Sequence, residues 1–285
     1  MTATARRWPS VAEFRPGITT LPRGDDAPQD VKSPPLDALW PEGAPRQLDP
    51  EAFHDLGVAQ RERERLWRRA WICAGLARDA ATPGDWFTFD LADTPLLVVR
   101  GQDGALRALV NVCRHRGAPL VEGDFGHAPG RLICGFHSWS YALDGRCLSV
   151  TSREQFRPEA LEGDLALPVA RCEEWDGFVF VCLDPDAPPL ADYLGELPGL
   201  LGAYRFGGMH VVRDVSVDLA ANWKLMAHAN LEAYHFHALH TPALAYADDL
   251  IQQIDFYAGG HSRFITATGI PSSRLQERKI GRAHV

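Results

Sequence analysis

No run of eighteen apolar residues occurs in this 285-residue chain, so no segment reads as a membrane-spanning helix. The opening Met1-Thr-Ala-Thr-Ala-Arg-Arg is not followed by an apolar stretch, which argues against a secretory signal. Basic residues are in deficit, 29 against 37 acidic, for a net charge of −8. That balance argues against nucleic acid as a partner and gives no basic patch for a membrane surface. No G-x-G-x-x-G or other flavin or nicotinamide signature is present, and no internal repeat is visible. Cysteines number only 6 and lack the spacing of a disulfide framework, which points to a reducing, cytoplasmic setting.

What remains is 46% hydrophobic, enough for two domains with their own cores. Residues 1–46 are rich in Pro, Asp and Gly, as in Ser33-Pro34-Pro35 and Gly43-Ala44-Pro45, and read as an extended or disordered leader. A helix is expected from Asp49, with Pro50 at its first position and Phe53 and Leu56 on its buried face. Gly57 should end or loosen it. A second helical run carries Leu66 and Trp67, and its charge-dense stretch from Arg61 to Arg69 reads as a solvated face. After Trp71 the pattern turns to strands. These are Trp86–Phe89, Leu96–Val99, Ala108–Val110 and Phe178–Leu183, with turns at Pro83-Gly84, Asp103-Gly104, Asp144-Gly145 and Asp176-Gly177. The Pro-rich stretch Asp184–Pro189 reads as a linker. His210–Leu219 then reads as a strand, and Asn222-Trp223-Lys224 opens a helix running to about His237, stopped by Thr241-Pro242.

One stretch dominates the chemistry. Cys113-Arg114-His115-Arg116-Gly117 is followed, with eighteen residues between His115 and Cys134, by Cys134-Gly135-Phe136-His137-Ser138-Trp139. Each loop offers one thiolate and one imidazole. Structural zinc more often takes C-x2-4-C with later histidines, although zinc in these same four ligands is an alternative. A Rieske [2Fe–2S] centre needs two Cys on one iron and two His on the other, which two such loops supply. Gly117 and Gly135 would allow tight backbone near sulfur. Cys73, Cys147, Cys172 and Cys182 are then left as reduced core or strand residues.

The two Cys-His motifs resemble those of the Rieske non-haem iron oxygenases, specifically the large catalytic subunit, over about Leu48 to Ala243. Phe136 and Ser138 stand where that family more often has Tyr and Gly. The resemblance implies an α+β fold in which a Rieske-type antiparallel β domain (residues 47–185) precedes an incomplete helix-over-sheet, helix-grip-like catalytic domain (186–279).

A second metal signal lies on the Asn222 helix. Glu232 and His235 are three apart and share a face, which His228 extends, while His240 needs the helix to end or bend. Two histidines there suit the 2-His-1-carboxylate arrangement of a non-haem Fe(II) oxygenase. The resemblance implies that His235 and His240 hold the iron. It also implies that Glu232 links the Rieske centre of one subunit to the iron of its neighbour. Glu in place of the commoner Asp hints at quaternary-amine oxygenases; His228 and Ala229 replace a frequent Glu-Asn, and His237 is a decoy. The implied protein is a terminal oxygenase that activates O2 and hydroxylates or demethylates a small organic substrate, an aromatic acid or a quaternary amine. It is fed by a separate NAD(P)H-dependent reductase or ferredoxin and works as a homotrimer. The rival is a Rieske electron carrier without oxygenase activity.

The third, carboxylate ligand comes late in the family's catalytic domain. Asp248, Asp249, Asp255 and Glu277, the acids after His240, all come too early. Ile280-Gly281-Arg282-Ala283-His284-Val285 matches one reading frame of a common sequencing adapter. Residues 280–285 are therefore expected to be an artefact ending a truncated frame at Lys279.

Overall fold

Two registers of buried side chains on one strand explain why Leu96-Leu97-Val98-Val99 is apolar without interruption. In the computed structural model, which describes residues 49–272 and 274–275 (backbone only at 251–253), this run lies in β3 (Thr94–Arg100). Leu97 and Val99 face one core, and Leu96 and Val98 face another. A strand covered on both faces has no polar alternation to show. The leader at 1–46 and the 280–285 tail lie outside the described residues.

β3 is central to a seven-stranded antiparallel sheet. Its order is β1 (Ile72–Leu76), β10 (Phe178–Cys182), β9 (Val169–Trp175), β4 (Leu106–Val110), β3, β2 (Asp85–Leu91) and β5 (Phe125–His127). A three-stranded sheet of β6 (Arg131–Ile133), β7 (Ser140–Ala142) and β8 (Cys147–Ser149) carries Leu132 and Tyr141 into the core shared with Leu97, Val99 and Leu109. The four expected turns fall between or before these strands. Asp176-Gly177 is a two-residue hairpin turn with φ of 45° and 84°, the pairing that matches strand twist. A further two-residue turn, Ala92-Asp93, has φ of 48° and 63° although neither residue is Gly. Arg63 pairs with Asp93 at 2.6 Å, and Arg68 Nη1 donates to the Ala92 carbonyl at 3.2 Å. The basic run expected to be a solvated face thus anchors a strained turn.

The helical expectations need correction. Asp49 does cap the first turn, accepting from Glu51 N at 2.9 Å, but α1 is only Glu51–His54. Asp55 is extended and its carboxylate accepts from Val58 N, so a new helix, α2 (Leu56–Glu62), starts there. Asp55, not Gly57, makes the break, and Leu56, expected inside, is 84% exposed. His210–Leu219 forms no strand, and among the described residues no strand pairs with it. Two short helices, α3 (Leu190–Leu194) and α4 (Leu197–Leu201), precede it. The Asn222 helix is also shorter than expected. Asn222 caps α5 (Trp223–Ala229), accepting from Lys224 N at 3.0 Å, but the chain then turns before α6 (Phe236–Leu239). A hairpin of β11 (Ala247–Phe256) and β12 (Ser262–Thr268) follows, and the α+β class holds.

α2 and α5 are joined by a nearly buried ion pair. Lys224 Nζ lies 2.5 Å from Glu62 Oε1, with side chains 12% and 18% exposed, and Trp223 Nε1 donates to Glu62 Oε2 at 3.0 Å. Trp67 meets Trp223 edge to face at 5.0 Å. Burial alone would raise the Glu62 carboxyl; the Lys224 and Trp223 hydrogen bonds and the lysine charge outweigh it and hold it below its ordinary value. A depressed carboxylate stabilises the native state above the unfolded-state pKa of about 4.5 and loses that contribution as pH falls through the native value. Glu62→Gln should therefore cost about 2 kcal/mol at pH 7, with the difference from wild type shrinking on acidification below pH 4.5, as read by urea unfolding. A gap that is the same at pH 7 and pH 3.5 would count against the pair.

Candidate metal centres

The first centre is built from two loops with one backbone pattern. In Cys113–Ala118, Cys113 N donates to Ala118 O at 2.8 Å and Gly117 N donates to Cys113 O at 3.0 Å. In Cys134–Trp139, Cys134 N donates to Trp139 O at 2.8 Å and Ser138 N donates to Cys134 O at 2.9 Å. Both closures need a left-handed residue four positions after the cysteine, and Gly117 and Ser138 have φ of 75° and 60°. The first loop follows β4 and the second joins β6 to β7. Gly135 has no close neighbour within 4 Å of a built Cβ, so the tight approach expected there is not made by protein atoms.

The loops bring the four residues together. Cys113 and Cys134 are each 2% exposed within one core, and neither is in a disulfide. The His115 and His137 rings meet edge to face, centroids 4.7 Å apart, on the more exposed side. Trp139 stacks on His115 at 5.0 Å, and Phe156 closes its other edge at 5.7 Å. Both imidazoles bury Nδ1 without any hydrogen-bond partner. Buried polar nitrogens of this kind are rare and costly unless something binds them. Burial, with the charges of His137 and Arg116, lowers the His115 pKa and favours the neutral ring that a ligand must be. Among the described residues no three His, Cys, Asp or Glu groups surround one ion position. A binuclear cluster takes two ligands per iron. The donor set, its burial and the orphaned nitrogens fit a [2Fe–2S] group.

Two neighbours were not foreseen. Asn111, buried where β4 ends, accepts from Leu120 N and Val121 N at 3.0 and 3.1 Å and donates to Val121 O at 3.0 Å. It staples the segment that contains the first loop. Tyr141, fully buried, places its hydroxyl 3.4 Å from Cys113 Sγ and accepts from Arg114 N at 3.1 Å. Because the oxygen accepts from Arg114, the hydroxyl proton is available to the sulfur. Burial and then the Cys113 contact push the Tyr141 hydroxyl pKa well up, so it stays protonated. Only its place two residues past Trp139 in an apolar strand marked it in the sequence.

The second centre lies after α5. The break at Ala229 ends the stripe expected through His228, which instead meets Phe53 edge-on at 6.2 Å. Glu232 and His235 still meet: His235 Nδ1 is 2.5 Å from Glu232 Oε1, and His235 N donates to Glu232 Oε2 at 3.1 Å. The His235 and His240 rings stand 5.1 Å apart, brought together by the single turn of α6. Burial would raise the Glu232 carboxyl, but the His235 side-chain and backbone bonds and the imidazole charge hold it low. The three residues line a cleft of about 630 Å³ with Phe236, Tyr246 and Phe264. His237 turns its Nδ1 to the Tyr234 carbonyl and is not among the lining residues. Asp249 is held by Ser272 and Arg274, and Asp255 by Arg263. Neither these nor Asp248 line the cleft, and Glu277 lies outside the described residues.

Residues 70–168 match the family described as the Rieske [2Fe-2S] domain, and residues 206–279 match the catalytic domain of the ring-hydroxylating alpha subunit. The chain belongs to the Rieske oxygenase large subunits. Its Rieske domain and catalytic segment imply a Rieske cluster and a mononuclear iron. It is 30% identical to the glycine betaine monooxygenase oxygenase subunit of Chromohalobacter salexigens over 77% of this chain and 49% of that protein. It is 34% identical to the large oxygenase component of a naphthalene 1,2-dioxygenase system of Pseudomonas aeruginosa, over 67% and 43%. The solved structure of a quaternary ammonium Rieske monooxygenase, described for carnitine oxidation and inter-subunit electron transfer, superposes with a TM-score of 0.64 at 26% identity, covering 71% and 56% of the two chains. The chain thus spans about half the length of the curated relatives it matches.

Two outcomes follow from the Rieske loops. Ser138→Gly relieves a left-handed Ser and should stabilise the protein by about 1 kcal/mol, read as a raised thermal midpoint. Tyr141→Phe removes a hydrogen bond to Cys113 sulfur and should move the cluster midpoint potential to a more negative value in redox titration, because such bonds favour the reduced state. An unchanged potential would mean the hydroxyl proton is not directed at sulfur.

Proposed function

We propose that this chain supplies the electron-transfer and O2-activating residues of a terminal Rieske oxygenase. Residues 47–185 form its Rieske domain and 186–279 belong to its catalytic domain. Cys113 and Cys134 would hold one cluster iron as thiolates, and His115 and His137 would hold the other through Nδ1. The observation that carries the reading is the second centre, because a plain electron carrier has no use for it. His235 gives its Nδ1 proton to Glu232, which fixes the tautomer and leaves Nε2 for a metal, with His240 beside it. When bound, the cluster supplies single electrons and the mononuclear iron supplies O2 activation.

The chain's own residues account for the rest. Glu232 keeps 35% of its side chain exposed while one carboxylate edge is engaged by His235, so a second donor can reach it. A Rieske histidine of a neighbouring subunit is the proposed donor, in a homotrimer. This accords with the inter-subunit electron transfer described for the carnitine-oxidising relative. The aromatic and apolar cleft beside His235 and His240 suits a small organic substrate, an aromatic acid or a quaternary amine. Glu rather than Asp at 232, and the glycine betaine relative, favour the amine. Electrons would come from a separate NAD(P)H-dependent reductase or ferredoxin, in the cytoplasm.

Glu232→Gln tests the assignment. Cluster content and reduction by the reductase should be unchanged, while substrate-dependent O2 uptake falls by more than about tenfold, since removing such an outer partner typically costs 10–100-fold. Turnover near the wild-type rate would remove Glu232 from the path. Iron analysis separates the oxygenase from the carrier: a third iron, lost in His235→Ala while the cluster absorbance stays, belongs only to the oxygenase.

A further inference from the structure

Among the described residues, three side-chain nitrogen or oxygen atoms are buried without a hydrogen-bond partner: His115 Nδ1, His137 Nδ1 and Trp139 Nε1. All three belong to the first metal centre. The two imidazole nitrogens are answered by iron ligation, but the third is of a different kind. An indole N–H can only donate, so no metal satisfies it. It needs an acceptor, and the described residues supply none.

Trp139 has no freedom to find that acceptor in solvent. It is 3% exposed and lies flat against His115, with an interplanar angle of 6°. Phe156 closes on it edge to face, with centroids 5.8 Å apart. Leaving an N–H unpaired in such a place costs free energy, and an aromatic ring without a donor would avoid that cost. The acceptor must therefore arrive with whatever completes the site. We propose that Trp139 donates its indole N–H to a sulfur of the bound [2Fe–2S] group, acting as a positioning and tuning residue as well as a wall for His115. The inference rests on the assignment of Cys113, His115, Cys134 and His137 as cluster ligands.

This donor complements Tyr141. The Tyr141 hydroxyl addresses Cys113 Sγ, whereas no side-chain hydrogen bond reaches Cys134 Sγ among the described residues. Because Cys134 Sγ receives no bond from Trp139 either, a sulfide brought by the bound group is the acceptor that Trp139 can serve. Hydrogen bonds to cluster sulfur disperse the charge gained on reduction, so the N–H should raise the potential.

The test uses the cluster-loaded chain and two readouts that do not depend on turnover. Trp139→Phe keeps an aromatic ring beside His115 and deletes the donor; its reduced-cluster midpoint should shift to a more negative potential, while Trp67→Phe should leave it unchanged. In wild-type protein labelled with indole-15N tryptophan, pulsed EPR of the reduced cluster should show a weak 15N coupling in addition to the histidine nitrogens, and an exchangeable proton lost in D2O. If the variant fails to load, the labelled wild-type protein decides the matter alone. An unshifted potential, or a spectrum without indole coupling, overturns the proposal while a Rieske-type signal keeps the ligand assignment. A wild-type chain that binds no cluster overturns both.

Discussion

Everything at the first centre depends on closing two loops so that each presents a sulfur and a nitrogen to one place. The closure is a backbone matter. Each cysteine N–H reaches the carbonyl five residues on, and each cysteine carbonyl receives the N–H four residues on. Side chains at the intervening positions are then free to be Arg or Phe without disturbing the ligands. The sheet supplies the rest: β4 delivers the first cysteine, the β6–β7 connection delivers the second, and both thiols end in one core. Asn111 prevents the first loop from drifting by satisfying two N–H groups and one carbonyl of the segment beyond it. Loops held this firmly can present a reactive group without losing its geometry.

The two Cys-His loops were legible because their chemistry is local: two short motifs state the donors, and the first also states its turn residue, Gly117, whereas in the second the left-handed place falls to Ser138 and not to Gly135. β2, β3, β4 and β10 were legible for the same reason, since apolar runs bounded by turn residues carry their own limits, whereas β1, β5, β6, β8 and β9, short or mixed in polarity, have no such run. His210–Leu219 was not. Its Val215, Val217 and Leu219 alternate with Asp214, Ser216 and Asp218 as a half-buried strand should, yet all are exposed. Alternation records what a segment can pair with, and a strand exists only once a partner supplies the other half of its hydrogen bonds. The break at Ala229 was hidden in the opposite way. Nothing in Ala229-Asn230-Leu231 forbids a helix, and the contact between Glu232 and His235 at a spacing of three looks the same in a helix and in a turn.

The long-range ties were illegible for a different reason. Glu62 and Lys224 are far apart in sequence; Glu62 sits in a run that reads as solvated charge, and nothing beside Lys224 names its partner. The same holds for the connection after β10. Arg78 Nη1 is 3.1 Å from His210 Nδ1, and its other amino group faces the Gly207 and Met209 carbonyls. Asp176 accepts from Phe206 N at 2.7 Å and Gly207 N at 3.1 Å. A Cβ on Gly177 would come within 2.8 Å of Gly207 Cα, so the hairpin turn must be glycine for a second reason besides its φ of 84°. These contacts tie residues 206–210 to the β domain, and the Glu62–Lys224 pair ties α5 to α2.

The two centres share a division of labour between buried and exposed donors. At the first, the thiols lie deep and the imidazoles lie toward the surface. At the second, His235 is oriented from behind by Glu232, whose carboxylate is itself only partly covered. A carboxylate is the one common side chain that can hold two imidazole N–H groups at once and remain charged in doing so. An amide in its place offers one acceptor and one donor, so it can satisfy one imidazole and must oppose the other. On the bridging role proposed for Glu232, the need for a symmetric acceptor between two rings would account for an acid, and not merely a polar residue, three positions before His235.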